Sequence, residues 1–392
     1  MRSFLASAAV ALALAAPAAA EPGRIAVGVA PDASREDVAS LVSAATGGTL
    51  VEDLGPLDAL VFVAADRDAA AVAAGALPGV EYAEAVRASR SLAFVPNDPL
   101  AGQQWYLGAI RAFDHWAVKP PQPPVLVAVL DSGIEASHPE FAGRIAAARS
   151  FVSTPAHVDA FGHGTIVAGE IAAALDNAQG IAGTGIPVQL LVAKVVGRSG
   201  EISVLAEARA IRWAVDRGAR VINLSLGGPR DPRDPNRDTY SPLEHAAVDY
   251  ATRRGVVVVA AAGNCGSLAC PERFASWPAA LPHVLGVGAL APDGSTPAFS
   301  NRDRRHVDVA APGTEILSTY PHALSTSACA PAGFTPCAAS AARRNPRGTS
   351  FASPLVAAAA AVLLGERGRL GLAQLHSSQV TASLRRSAID VG

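Results

Sequence analysis

Three side chains in this sequence have the types and surroundings that nucleophilic catalysis needs. Asp131 closes the apolar run Val125–Leu130, whereas His163 and Ser350 each stand at the start of a predicted helix. A serine hydroxyl becomes a nucleophile when a neutral imidazole accepts its proton, and a carboxylate can hold that imidazole in the correct tautomer. Each residue alone is more often a helix cap or a structural side chain. Together, in the order Asp, His, Ser, they predict a catalytic triad.

The segments around these residues carry a resemblance to a known family. They read Asp131-Ser132-Gly133, His163-Gly164-Thr165 and Gly348-Thr349-Ser350-Phe351-Ala352-Ser353-Pro354. The chain therefore resembles the subtilisin-like serine proteases, or subtilases, from about Pro96 to Ile389. The resemblance implies a serine endopeptidase that acts on polypeptide substrates through an acyl-enzyme intermediate.

Two further segments match the family's pattern for holding a substrate. The stretch Val221–Gly228 resembles its substrate-binding strand, which implies that Ser225, Leu226 and Gly227 pair with the main chain of a peptide. The stretch Ala261–Asn264 resembles its oxyanion segment. The side-chain amide of Asn264 and the backbone N–H of Ser350 are then the candidate donors to the oxyanion.

The sequence departs from the family's pattern at four places. Ile166 and Leu355 stand where relatives commonly have a second histidine, and Cys265 stands where many have a polar or acidic residue. Residues 320–346 are longer than the family's usual connection to the nucleophile, and we expect this insertion to shape the leaving-group side of the cleft. None of these positions belongs to the predicted triad.

The elements that must position these residues alternate between strands and helices from about residue 125. Buried parallel strands are nearly continuous in apolar content, and five segments have that character: Val125–Leu130, Val188–Val196, Val221–Leu226, Val256–Ala261 and Val284–Val287. Helical periodicity follows Val204 and Ser241, and the apolar run Leu355–Leu364 predicts a buried helix. The sequence therefore predicts an α/β fold with a doubly wound, mainly parallel sheet flanked by helices, the subtilisin-like arrangement.

The N-terminal part predicts a precursor in three sections. Residues 1–20 combine Arg2, an apolar run and small residues before Glu21, which is typical of a signal peptide and predicts a secreted or periplasmic protein. Residues 21–94 predict a small α+β unit in the ferredoxin-like order β-α-β-β-α-β. The resemblance implies that this unit is a propeptide that assists folding and inhibits the enzyme, and that residues 95–392 are the catalytic domain. A permanent N-terminal domain is the alternative.

The charge and hydropathy of the chain limit the kinds of partner that it is expected to bind. The formal net charge is −2, so the chain has no excess of basic residues that would favour binding to nucleic acid. No segment after the signal peptide predicts a membrane span. We expect the protein to be a monomer.

Four cysteines in an exported chain predict two disulfides. The short spacings favour Cys265–Cys270 and Cys329–Cys337 among three connectivities.

Metal binding is the remaining question about cofactors. The resemblance implies that catalysis requires no cofactor and no catalytic metal, but relatives often bind structural calcium through carboxylate, amide and carbonyl oxygens. Asp98, Glu140, Asp176 and Asn177 lie in roughly corresponding regions. Acidic loop residues are usually only solvated, so a calcium site stays open.

Two other functions must be weighed against an endopeptidase. A catalytically inactive subtilase could serve as an exported binding protein, but such a role would not need the three triad residues and Asn264 together. An esterase of the α/β-hydrolase type would require the order Ser, Asp, His and a G-x-S-x-G motif, and Ser350 has neither. The residues therefore favour the endopeptidase.

Overall fold

The computed structural model describes residues 2–3, 23–86, 94–116, 124–185, 187–265, 274–325, 333–335 and 346–390. The chain forms two compact units, one spanning Ala15–Leu92 and the other Met1–Leu14 with Ala93–Gly392. Apart from Arg2–Ser3, the predicted signal peptide lies outside the described residues.

The smaller unit has the predicted order of elements. After β1 (Arg2–Ser3), which belongs to the larger unit, come β2 (Gly23–Val29), α1 (Arg35–Thr46), β3 (Thr49–Leu54), β4 (Ala59–Ala64), α2 (Arg67–Gly75) and β5 (Val80–Ala85). The four strands of this unit pair antiparallel in the order β3-β4-β2-β5. The Ser34 side chain accepts a hydrogen bond from the Asp37 amide and so caps the start of α1.

The larger unit alternates strands with helices. Its elements after β1 are α3 (Trp105–Ala109), α4 (Ala112–His115), β6 (Val125–Asp131), β7 (Ile145–Ser150), α5 (His163–Ala172), β8 (Val188–Lys194), α6 (Val204–Asp216), β9 (Val221–Leu224), α7 (Pro242–Thr252), β10 (Val257–Ala261), β11 (Val284–Leu290), β12 (Val309–Pro312), α8 (Thr349–Arg369), α9 (Ser377–Ser387) and β13 (Ile389–Asp390).

These strands confirm the predicted α/β fold. Seven of them form a parallel sheet in the order β12-β11-β10-β9-β6-β8-β7, and β1 and then β13 extend its β12 edge. Successive residues of a strand face opposite sides of a sheet. In β6, Val127 and Val129 accordingly enter one core, which α5 and α8 also form, while Ala128 and Leu130 enter the other, which α6 and α7 cover.

Helix α8 is the central helix of the larger unit. It contacts α5 and five strands of the sheet, and it begins at Thr349, six residues before the apolar run Leu355–Leu364, so that Ser350 lies at its start as predicted. Its length and composition would suit a membrane span, but 89% of its apolar window is buried inside the protein. That burial is typical of a core helix, and no other helix of the described residues meets the same criteria.

Candidate active site

The predicted site residues meet at one edge of the parallel sheet. Asp131 is the last residue of β6, Ser225 directly follows β9, and Asn264 follows β10. His163 opens α5, and Ser350 is the second residue of α8. Because the carboxyl ends of parallel strands share an edge, one cleft of about 570 Å³ is lined by all five residues.

The carboxylate and the imidazole form a close pair. His163 Nδ1 lies 2.8 Å from Asp131 Oδ1 and 3.0 Å from Oδ2, so Nδ1 carries a proton and donates a hydrogen bond to the carboxylate. The Asp131 side chain is only 3% exposed, whereas that of His163 is 33% exposed. The other ring nitrogen, Nε2, is thereby left as the proton acceptor.

A second buried carboxylate, which the sequence did not single out, builds the turn before His163. Asp159 accepts hydrogen bonds from the backbone N–H groups of Phe161, Gly162 and Thr165 at 2.8–3.1 Å. It also accepts one from the Ser132 hydroxyl at 2.8 Å. The Ser132 hydroxyl in turn accepts a hydrogen bond from Gly164 N, which ties the Asp131 segment to the start of α5.

These charges determine how readily His163 takes up a proton. Burial alone would lower the pKa of His163, but the charge of Asp131, the hydrogen bond to it and the charge of Asp159 together raise that pKa above its ordinary value. An imidazole with a raised pKa is a stronger base, and it also stays protonated to a higher pH.

The Ser350 hydroxyl lies in the cleft and donates a hydrogen bond to the Ser225 carbonyl at 3.2 Å. Within the described part of the chain it has no hydrogen bond to His163, so a rotation about its χ1 would be needed to direct it there. Catalytic hydrogen bonds are often incomplete before substrate binds. The Ser350 carbonyl has lost its helical donor because Pro354 follows four residues later, and the Ser225 hydroxyl donates to it instead at 2.6 Å.

The Asn264 amide has a fixed orientation. Its Oδ1 accepts hydrogen bonds from the backbone N–H of Thr349 at 2.8 Å and from the Thr349 hydroxyl at 3.1 Å. The Nδ2 group has no hydrogen-bond partner among the described residues, and the residue is exposed in the cleft beside Ser350. The Thr349 hydroxyl also accepts from Gly263 N, so one side chain anchors the whole segment.

The predicted substrate strand, Ser225–Gly227, lies along the wall of the cleft. Gly227 lacks a side chain for a reason that lies within the protein. A Cβ on Gly227 would lie 2.2 Å from the Trp277 carbonyl oxygen, because Gly228 and Trp277 exchange backbone hydrogen bonds at 3.0 Å. Packing within the protein therefore requires the glycine.

The four residues considered for calcium lie together but bind one another. Asp98 accepts hydrogen bonds from the N–H groups of Asp176 and Asn177, and Glu140 accepts from Ile181 N and from the Asn177 amide. Burial raises the pKa of Glu140 to about 7. The described residues contain no group of three or more His, Cys, Asp or Glu side chains arranged to hold a metal ion. Calcium binding by these four residues stays a prediction.

The cysteine pairings remain predictions. Cys265 lines the cleft and is not a free thiol. Its predicted partner Cys270, together with Cys329 and Cys337, lies outside the described residues. Of the 320–346 insertion, residues 320–325, 333–335 and 346 are described.

Together with the fold, a match to a known protein family defines the class of this protein. Residues 123–391 match the model of the subtilase family, Peptidase_S8. The chain therefore belongs to the subtilase family of serine peptidases, which are hydrolases.

Individual relatives agree with this assignment. The chain is 37% identical to subtilisin DY of Bacillus licheniformis over 68% of its own length and 85% of that protein. It is 35% identical to thermitase of Thermoactinomyces vulgaris over 75% of its length and 92% of that protein. The solved structure of a cold-adapted subtilisin-like serine proteinase is similar, with a TM-score of 0.52, 29% identity and coverage of 67% of this chain and 81% of that one.

Proposed function

We propose that this subtilase is a secreted or periplasmic serine endopeptidase with Asp131, His163 and Ser350 as its triad. The observation that carries the proposal is the double contact of His163 Nδ1 with the Asp131 carboxylate in the cleft that also holds Ser350. This contact presents Nε2 as a base next to a serine at a helix N-terminus. Catalysis then needs no cofactor.

In the first half of the reaction, Ser350 Oγ attacks the carbonyl carbon of the scissile bond while His163 Nε2 takes the hydroxyl proton. The carbonyl oxygen becomes an oxyanion, which accepts hydrogen bonds from the Asn264 amide and the Ser350 backbone N–H. That N–H has no hydrogen-bond partner among the described residues, because the first four amides of a helix have no helical acceptor. His163 then gives its proton to the departing amine, the C–N bond breaks, and an ester to Ser350 remains.

In the second half, water takes the place of the amine. His163 accepts a proton from the water, whose oxygen attacks the ester carbon through the same oxyanion site. Collapse of this intermediate breaks the ester, returns the proton to Ser350 Oγ and releases the carboxylic acid. The main chain of Ser225, Leu226 and Gly227 would hold the acyl part of the peptide by extended pairing, which tolerates many sequences.

The direct test compares wild-type protein with Ser350→Ala in a casein-hydrolysis assay. The substitution removes one oxygen from a helix terminus and little packing, so the variant should fold normally by circular dichroism while hydrolysis falls below a few per cent. Ser153→Ala is a matched control, because it removes an exposed hydroxyl that lies outside the cleft. A folded Ser350→Ala protein that hydrolyses casein at the wild-type rate would exclude Ser350 as the nucleophile.

The domain organisation belongs to the same proposal. Residues 1–20 would direct export, and residues 21–94 would form a propeptide that the enzyme removes from the catalytic domain at 95–392 by cutting between Ala88 and Asn97. A parallel sheet with many non-local contacts folds slowly, so a local template would speed its assembly. N-terminal sequencing should give a start within 88–98 for wild type and Glu21 for Ser350→Ala. An active wild type that retains Glu21 would identify a permanent domain.

A further inference from the structure

A second pocket, of about 450 Å³, adjoins the active-site cleft. The two share four lining residues: Phe161, His163, Asn264 and Ser350. Residues 225–229, which line the main cleft where the acyl part of a substrate would pair, do not line the second pocket. A peptide that enters along Ser225–Gly227 and places its scissile bond at Ser350 therefore continues into this second pocket, which we call the leaving-group pocket.

The walls of the leaving-group pocket are apolar and firmly held. Ile166, Tyr320 and Phe351 line it and are 6%, 2% and 7% exposed. The Tyr320 ring packs so closely on the turn before His163 that a Cβ on Gly162 would lie 2.4 Å from it. The residue before it, Thr319, donates from its hydroxyl to the Thr165 carbonyl at 2.7 Å. The pocket is thus formed before any substrate arrives.

Among the described residues that line this pocket, one cationic side chain has no partner that the structure describes. Arg347 lines it, is exposed, and has no ion pair or hydrogen bond with any described residue. No aspartate or glutamate is among the described residues that line the pocket. A guanidinium presents paired N–H donors whose geometry matches a carboxylate, and apolar surroundings strengthen such a contact.

We infer that Arg347 gives the enzyme a preference for a carboxylate in the leaving-group part of its substrate. The carboxylate belongs either to an acidic side chain at the first or second residue after the scissile bond, or to a free C-terminus at that distance. This inference rests on the proposed endopeptidase function. A partly exposed ion pair of this kind predicts a preference of about three- to tenfold in kcat/KM.

The test uses peptides that share one acyl half and differ after the scissile bond. One arm places Glu, Gln or Lys at the first or the second position of an amidated peptide. A second arm compares a free with an amidated C-terminus on a two-residue leaving group. Each protein is scored by its own Glu/Gln and free/amide ratios of kcat/KM, so that a general loss of activity cancels. Arg347→Gln and Arg347→Glu are compared with Arg304→Gln, an exposed arginine outside both pockets.

Wild type should favour Glu over Gln and Gln over Lys, or the free over the amidated terminus, and the preference should weaken in 0.5 M salt. Arg347→Gln should bring the ratio to about one, Arg347→Glu should reverse it, and Arg304→Gln should keep it. Equal cleavage of all these peptides by wild type, or an unchanged ratio in Arg347→Gln, would overturn the inference while leaving the endopeptidase intact. Folded protein that cleaves none of them would overturn the proposed function as well.

Discussion

The oxyanion role proposed for Asn264 predicts a large and specific loss in Asn264→Ala. The variant removes the Nδ2 donor that the cleft leaves without a partner, together with the Oδ1 that holds Thr349. One oxyanion donor contributes about 10²–10³ in kcat, a magnitude known from a subtilisin, which corresponds to roughly 2.7–4 kcal/mol of transition-state stabilisation. KM should change little, because the donor binds the oxyanion more strongly than the ground-state carbonyl.

The Thr349 contacts allow a graded version of the same experiment. Thr349→Val removes the hydrogen bond from Gly263 N and the 3.1 Å hydroxyl contact to Asn264, but keeps the 2.8 Å contact from the backbone N–H. Of the two lost contacts, only the one to Asn264 holds the oxyanion donor directly. One neutral hydrogen bond is worth about 0.5–1.5 kcal/mol, so kcat should fall by about two- to tenfold, and Thr349→Ser should restore most of it. Rates would be measured on a chromogenic peptide with the concentration of active sites fixed by titration. If Asn264→Ala kept kcat within a factor of three of wild type, or changed only KM, the oxyanion assignment would be refuted.

Three further predictions follow from the carboxylates. Asp131→Asn should lower kcat by about 10⁴, because an amide cannot both orient the His163 imidazole and stabilise its cation, and a loss below tenfold would contradict the pairing. The raised pKa of His163 places the acid limb of the kcat/KM profile above the ordinary histidine value of about 6.5, and a profile that peaks below pH 5 would contradict it. Glu207 on α6 and Glu244 on α7 are both buried. Burial raises the pKa of Glu244 to about 7. Burial and the charge of Glu244 together raise the pKa of Glu207 well above its usual range. The contribution of Glu244 to stability is therefore present at pH 4 and lost as pH rises through about 7, and that of Glu207 is lost in the same direction over a range that extends to higher pH. Glu207→Gln should raise the melting temperature by a few degrees at pH 8 and little at pH 5, with the exposed Glu201→Gln as control, and a lower melting temperature at pH 8 would contradict this account.

The parallel sheet was largely predictable from the sequence because its central strands are buried on both faces. The limits of β6 and β10 differ from the predicted ones by a single residue. The strand β7 was missed because three of its six residues are exposed and the other three are half-buried, so its sequence contains no continuous apolar run. The strand β12 was missed because it has only four residues. The apolar run Leu355–Leu364 covers only the middle of helix α8, which begins with the polar residues Thr349 and Ser350 and continues to Arg369.

The supporting residues of the site were harder to find than the candidate catalytic ones. Motifs on either side of Asp131, His163 and Ser350 made those positions conspicuous. Asp159 and Tyr320 act through contacts with the turn before His163, and neither lies in a motif of its own. A contact such as that of Tyr320 with Gly162 joins distant parts of the chain, so only the folded structure reveals it.

The central claim is that Ser350 is the nucleophile that His163 and Asp131 activate. The most direct measurement is covalent labelling with a serine-directed phosphonylating reagent, followed by intact mass and peptide mapping. We predict one phosphonyl group per molecule, located on Ser350, with loss of casein hydrolysis in proportion to labelling and no labelling of Ser350→Ala or His163→Ala. A group attached to another serine, or full hydrolysis by protein labelled at Ser350, would contradict the claim.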